Sequence, residues 1–164
     1  MLPRPSFRMP QLPARWRDGE GREHAFGGRW GMDGPPEDAY SRVTHPQRYA
    51  PLHDVADALV AHVLAVYDCV AEEEAPEEHE LRAVRLRAVP GTAGVHIAWT
   101  DFPGVRARLG SGDEAAAPLC GCDACDEDLQ RTAEALRDAV LDAVAGARDA
   151  RSAARGAGWP LRSS

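Results

Sequence analysis

The longest regular pattern of apolar residues begins at Leu52 and repeats with the period of a helix. Its apolar positions recur at intervals of one to four residues, and they are Leu52, Val55, Ala56, Leu59, Val63, Val66 and Val70. Asp54, Asp57 and Asp68 fall on the opposite face. The pattern predicts an amphipathic helix over about residues 51–71, packed through one broad stripe.

A second apolar stripe with the same period follows near the C-terminal end. Its members are Leu129, Ala133, Leu136, Val140, Val144 and Ala147. Asp123 is a typical N-cap, and the acidic residues that follow it suit the positive end of a helix dipole. Gly146 is a typical stop signal. The pattern predicts a second long helix that begins after Asp123.

Between the two stripes, three short stretches alternate apolar and polar residues as half-buried strands do. They cover residues 81–89, 95–100 and 105–109, and turns at residues 90–94 and 101–104 separate them. Short connections predict an antiparallel meander. The glutamate-rich residues 72–80 and the small residues of 110–117 are interpreted as loops.

These elements predict an α+β fold in the order α-β-β-β-α. A three-stranded antiparallel meander would expose one apolar face, and two long helices are available to cover it in a second layer. Residues 1–29, rich in proline and arginine, are predicted to be a disordered basic tail. Residues 30–147 form a single domain in this scheme, followed by a flexible tail over residues 148–164.

Composition narrows the class of protein without naming a function. The chain has 164 residues, of which 44% are hydrophobic and 27% charged, as in ordinary soluble domains. It has no apolar run of the ~18 residues that a membrane span needs, and no apolar block typical of a signal peptide. We therefore expect a cytoplasmic protein that does not bind membranes, with reduced cysteines.

The net charge of −7 is unevenly distributed along the chain. Residues 1–30 contain six arginines and three acidic residues, whereas the remainder contains 13 arginines and 23 acidic residues. An acidic body repels phosphate backbones, so we expect no nucleic-acid partner. One face of the meander is rich in arginine and is a candidate surface for an acidic protein or a small anionic ligand. Its arginines are Arg85, Arg87, Arg106 and Arg108.

The densest candidate chemistry is a cluster of three cysteines before the second helix. Cys122 and Cys125 have the two-residue gap that lets two thiolates face one zinc ion, and Cys120 could supply a third ligand. Candidates for the fourth ligand are Cys69, His45, His53 and His62. Cys69 is favoured because thiolates dominate structural zinc sites.

Two other interpretations of this cluster remain open. A Cys-x-x-Cys at a helix start can be redox active, although the acidic neighbours disfavour thiolates and no strand leads into the motif. Alternatively, the cysteines are small buried hydrophobes, because Cys125 would share the core face of Leu129 if the second helix reached back that far. The sequence favours a non-enzymatic binding or accessory domain with a structural cysteine cluster, which is a candidate zinc site. The alternative is a thiol-dependent or metal-dependent enzyme.

Two stretches resemble a known family. The octapeptide over residues 120–127, which follows Asp101-Phe102-Pro103-Gly104, and the run over residues 40–53 resemble an uncharacterised bacterial family, domain of unknown function 6226. The resemblance covers roughly residues 30–146. It implies no reaction, cofactor or site residue, so it supports the domain limits alone.

Overall fold

The computed structural model describes residues 6–88, 94–146 and 158–162, and it confirms the α+β class. Two long helices accompany a five-stranded antiparallel sheet and a separate two-stranded sheet. In chain order the elements are β1 (Trp16–Arg17), β2 (Glu23–His24), two 3-10 helices (Glu37–Ser41 and Pro46–Tyr49), α1 (Pro51–Val66), β3 (Cys69–Glu74), β4 (Glu80–Ala88), β5 (Val95–Thr100), β6 (Gly104–Arg108), β7 (Glu114–Ala117) and α2 (Leu129–Ala145).

The predicted three-stranded meander is wrong in strand number, because the sheet has the order β3-β4-β5-β6-β7. Edge strand β7 lies within the stretch 110–117 that was interpreted as a loop. Edge strand β3 begins in the predicted first helix and ends in the predicted loop over residues 72–80. Strand β3 tolerates its glutamates because they face arginines of β4; Arg85 Nε lies 2.6 Å from Glu74 Oε1, and Arg87 pairs with Glu72. The three predicted strands are β4, β5 and β6, and β5 has its predicted limits. Val89 and most of the following predicted turn lie outside the described residues.

The core lies between the two helices and one face of the sheet. Helix α1 contacts β3, β5 and β6, while α2 contacts α1, β5 and β7. Large side chains with less than 2% exposure come from both helices and from the inner face of the strands; they include Leu52, Leu59, Val63, Leu86, Ile97, Val105, Leu136 and Val140. Burying each such side chain stabilises the fold by about 1.5–3 kcal/mol.

Both chain ends contact this domain within the described residues. Phe7, Met9 and Leu12 pack against the core, although a disordered tail was expected there. At the other end, the Asp68 N–H donates to Pro160 O at 2.7 Å. Asp68 is free to make this bond because helix α1 ends at Val66, five residues earlier than predicted. Residues 147–157 of the expected flexible tail lie outside the described residues. No described helix combines the length and the apolar character that crossing a membrane requires.

The arginine-rich outer face of the sheet is paired with acidic side chains. Besides the two pairs of β4, Arg106 contacts Glu114 at 3.3 Å and Arg108 contacts Glu77 at 2.9 Å. His96 is only 5% exposed, because Glu74 Oε2 lies 2.6 Å from its Nδ1. These pairs offset the positive charge on which the expectation of an anionic ligand rested.

Asp128, rather than Asp123, caps helix α2. Its Oδ1 accepts the Arg131 N–H at 2.8 Å, and the helix begins at Leu129. Gly146 ends the helix as predicted, with φ of 69°.

We expect Asp128→Ala to lower the free energy of unfolding by about 1 kcal/mol, because the first turn of α2 loses its side-chain acceptor. Urea denaturation measures the change. Asp138→Ala is the control, since that side chain is exposed within the same helix and its loss should change stability by less than about 0.5 kcal/mol. Equal effects of the two substitutions would contradict the assignment of the cap.

Candidate metal centre

The loop between β7 and α2 brings three cysteines together. The Sγ atoms of Cys120, Cys122 and Cys125 all lie within 4.8 Å of one another. Cys122 is 7% exposed and packs with Ala39 and Ala124, whereas Cys120 and Cys125 are exposed. Because α2 begins only at Leu129, Cys125 does not lie on its core stripe. Three thiols of differing exposure thus converge at one end of the sheet.

The other residues considered as a fourth ligand lie elsewhere. Cys69 is in β3, buried in the core, and its Sγ donates to Val63 O at 3.6 Å. Burial raises the pKa of the Cys69 thiol. His53 contacts Gly104 O at 3.0 Å through Nε2, His62 packs edge-on against Phe7, and His45 belongs to a different group of side chains. Among the described residues, the group around the three thiols has no further histidine, cysteine or carboxylate within the same distance.

Glu127 shapes the first half of the cysteine loop. Its carboxylate accepts the backbone N–H groups of Leu119, Cys120 and Gly121 at 2.8, 2.7 and 3.2 Å. Gly121 has φ of 83°, and a Cβ there would lie 2.7 Å from the Phe102 ring. Glycine is therefore required at the turn that returns Cys120 toward Cys125.

Hydrogen bonds within the group shift the pKa values of Cys122 and Cys125 in opposite directions. The backbone N–H of Cys125 and the Cys120 thiol lower the pKa of Cys122, because both stabilise its thiolate. Hydrogen bonds with Cys122 and Cys120 raise the pKa of Cys125 to about 12. Once one thiol is ionised, its negative charge makes the next thiol harder to ionise. A bound cation would offset the repulsion between the thiolates.

Asp123 anchors the loop to the segment that precedes the second 3-10 helix. Its Oδ1 accepts both the backbone N–H and the hydroxyl of Thr44 at 2.8 Å, and its Oδ2 accepts Arg42 Nε at 3.0 Å. Burial raises the pKa of Asp123, but these hydrogen bonds outweigh it and the net pKa is below its ordinary value. The 3-10 helix that begins at Pro46 has no side-chain cap.

Asp126 anchors the same loop to the N-terminal segment. Its Oδ2 accepts three consecutive backbone N–H groups, those of Gly27, Gly28 and Arg29, at 3.0, 2.8 and 2.8 Å. Arg29 Nε lies 2.5 Å from Oδ1, and the Asp126 side chain is only 6% exposed. Asp123 and Asp126 were both expected to stabilise the start of the second helix. Instead, their carboxylates accept hydrogen bonds from backbone N–H groups of segments distant in sequence. The Gly27-Gly28 pair was the available signal, but it lies within residues 1–29, which were predicted to be a disordered tail.

A cleft of about 700 Å³ adjoins the cysteine loop on the side of α2. Its lining includes Cys125, Leu119, Trp30, Arg131 and Leu136. The exposed Cys125 therefore borders a space whose lining combines apolar side chains with Arg131 and four acidic residues, Glu114, Asp126, Glu127 and Asp128.

The comparisons with known proteins add a family. A family model described as "Family of unknown function (DUF6226)" matches residues 13–162, a longer span than the 30–146 suggested by the two resembling stretches. No curated protein and no solved structure matches the chain.

Proposed function

We propose that this chain, which belongs to the DUF6226 family, is a small binding or accessory domain whose loop holds one zinc ion on Cys120, Cys122 and Cys125. The observation that carries the proposal is the convergence of the three Sγ atoms within 4.8 Å. Three sulfurs around a tetrahedral zinc lie about 3.8 Å apart when Zn–S bonds are about 2.3 Å. Small rotations of the side chains would bring the thiols to that spacing.

A structural role for the ion fits the way the loop is used. The carboxylates closest to the thiols in sequence, Asp123, Asp126 and Glu127, all accept backbone N–H groups. Carboxylates that are fixed in this way hold the loop to other segments and are poorly placed to transfer protons. Zinc would tie together the two ends of a loop that fastens the N-terminal segment and residues 42–44 to the sheet.

The fourth coordination position would be taken by water or by a donor from a bound partner. A metal-dependent enzyme is the second candidate function, and the cleft beside Cys125 favours it, because three protein ligands and one open position are typical of catalytic zinc. The two functions differ in whether small anions can replace the ligand at that fourth position.

Metal analysis of the full chain purified under reducing conditions tests the proposal. We expect about one tightly held zinc per chain, and its loss in Cys120→Ser, Cys122→Ser and Cys125→Ser. Cys69→Ser is the matched control, because that thiol lies in the core and should leave the zinc in place. Loss of zinc on Cys69→Ser would instead support the four-cysteine set that the sequence predicts.

Two further measurements separate the alternatives. Unfolding of the zinc form should shift to lower temperature on adding a chelator, because metal bound only by the native state stabilises it. If the protein binds no zinc and one thiol reacts rapidly with a disulfide reagent, the zinc proposal is wrong and the thiol-dependent enzyme gains support. In a cobalt-substituted form, a change of absorption on adding azide would favour a catalytic, open site.

A further inference from the structure

A second group of metal-ligating side chains lies at the N-terminal hairpin, away from the cysteine loop. One ligand atom from each of Asp18, His24 and His45 lies within 4.8 Å of the others. Asp18 follows β1, His24 is the last residue of β2, and His45 precedes the second 3-10 helix. Two segments that are distant in sequence therefore converge on one point.

Asp18 is held in place before any ligand binds. Its Oδ1 accepts the backbone N–H groups of Glu20 and Arg22, both at 2.9 Å, and Arg22 Nε contacts its Oδ2 at 3.1 Å. The side chain is only 7% exposed. These donors orient the carboxylate.

The two imidazoles are held by an aromatic neighbour. The ring of Trp16 lies 4.7 Å from that of His45 and 5.7 Å from that of His24, and the two imidazole rings are 4.6 Å apart. His45 has φ of 56°, a left-handed conformation that is uncommon for a residue other than glycine. Such strain is often found where a side chain must be aimed at a site.

We propose that Asp18, His24 and His45 bind a divalent first-row transition-metal ion. The donor set of two imidazole nitrogens and one carboxylate oxygen suits zinc or iron better than magnesium or calcium, which prefer oxygen ligands. His24 Nε2 lies 2.9 Å from Asp18 Oδ2. Two ligands at about 2.1 Å from one ion are about 3.0 Å apart at a right angle and about 3.4 Å apart at the tetrahedral angle of zinc. An ion would therefore replace the hydrogen bond after a shift of about 0.5 Å or less.

The surroundings supply the supporting contacts that metal sites need. Arg22 would remain a hydrogen-bond donor to the ligating carboxylate, as outer partners commonly do. His24 also lines a cleft of about 310 Å³, which would give an ion a path from solvent. A bound ion would join the β1–β2 hairpin to the body of the domain.

Zinc titration of the full chain, with its cysteine site already loaded, tests this proposal. We expect a second equivalent of zinc to bind by calorimetry, and its affinity to fall at least tenfold in His24→Gln and in His45→Asn. Glutamine keeps a donor for Asp18, and asparagine tolerates the left-handed backbone, so both variants should fold.

The matched control is His79→Asn. His79 has φ of 67° and contacts the Asp101 carboxylate at 3.1 Å, but it belongs to no group of three ligands among the described residues. This variant should bind both equivalents normally. The proposal is overturned if His24→Gln and His45→Asn both bind as many equivalents of zinc as the wild type, with the same affinities. Because the cysteines are intact throughout, neither result bears on the thiol site.

Discussion

Replacing Asp126 by alanine is expected to lower the free energy of unfolding by about 3–4 kcal/mol. The substitution removes the single acceptor of three consecutive backbone N–H groups and of Arg29 Nε. A hydrogen bond to a charged acceptor contributes about 1.5–3 kcal/mol. The sum over these bonds is reduced here because Gly27, Gly28 and Arg29 are exposed, so water replaces part of the lost acceptor. Alanine also tolerates the φ of 46° at this position less well than aspartate.

Urea denaturation followed by circular dichroism measures this loss. Asp126→Asn is the matched variant, because its amide oxygen still accepts hydrogen bonds and asparagine tolerates the left-handed backbone. It should lose roughly half as much stability, since the charge is gone but an acceptor remains. A loss below about 1 kcal/mol for Asp126→Ala would show that the N-terminal segment contributes little to the fold.

Asp123→Ala should produce the second largest loss, about 2–3 kcal/mol. The Asp123 side chain is 5% exposed, and it accepts the Thr44 N–H, the Thr44 hydroxyl and Arg42 Nε. Removing it leaves the Thr44 N–H without its acceptor. Asp38→Ala is the control, because Asp38 pairs with the same Arg42 from an exposed position and should contribute less than about 1 kcal/mol.

The effect of Asp123 should also depend on pH in a defined direction. Because the folded protein holds the pKa of Asp123 below its ordinary value, the ionised form stabilises the fold. That contribution is fully present above the unfolded pKa of about 3.9, and it is lost as the pH falls through the lower folded value. The stability difference between wild type and Asp123→Ala should therefore be constant near neutral pH and shrink in acid. A difference that grows in acid would contradict the assignment.

The elements that could be predicted from the sequence are those whose own residues form a periodic pattern of apolar positions. The stripes of α1 and α2 and the alternation in β5 are visible because each contains enough core residues to show a period. Strands β3 and β7 were missed because their pairing depends on neighbours. The glutamates of β3 repel one another in isolation, and the extended form becomes favourable when arginines of β4 pair with them. These arginines are Arg82, Arg85 and Arg87.

The candidate sites show the same limit. The cysteine trio was predicted because its members are close in sequence, and Cys69 was chosen from ligand preference without knowledge of its place in the core. Asp18 and His24 lie in a stretch without helical or strand periodicity, so no local pattern connects them with His45. Side chains that meet through tertiary contacts leave no local pattern to recognise.

The hydrogen bonds from Gly27, Gly28 and Arg29 to Asp126 also constrain the order of events in folding. Their partners are 97–99 residues apart, so the chain must close a very long loop before these bonds can form. During synthesis, residues 27–29 emerge well before their acceptor, which follows all five strands of the sheet. We therefore expect its docking to be a late step in folding, after the helices and the local strand pairs have formed.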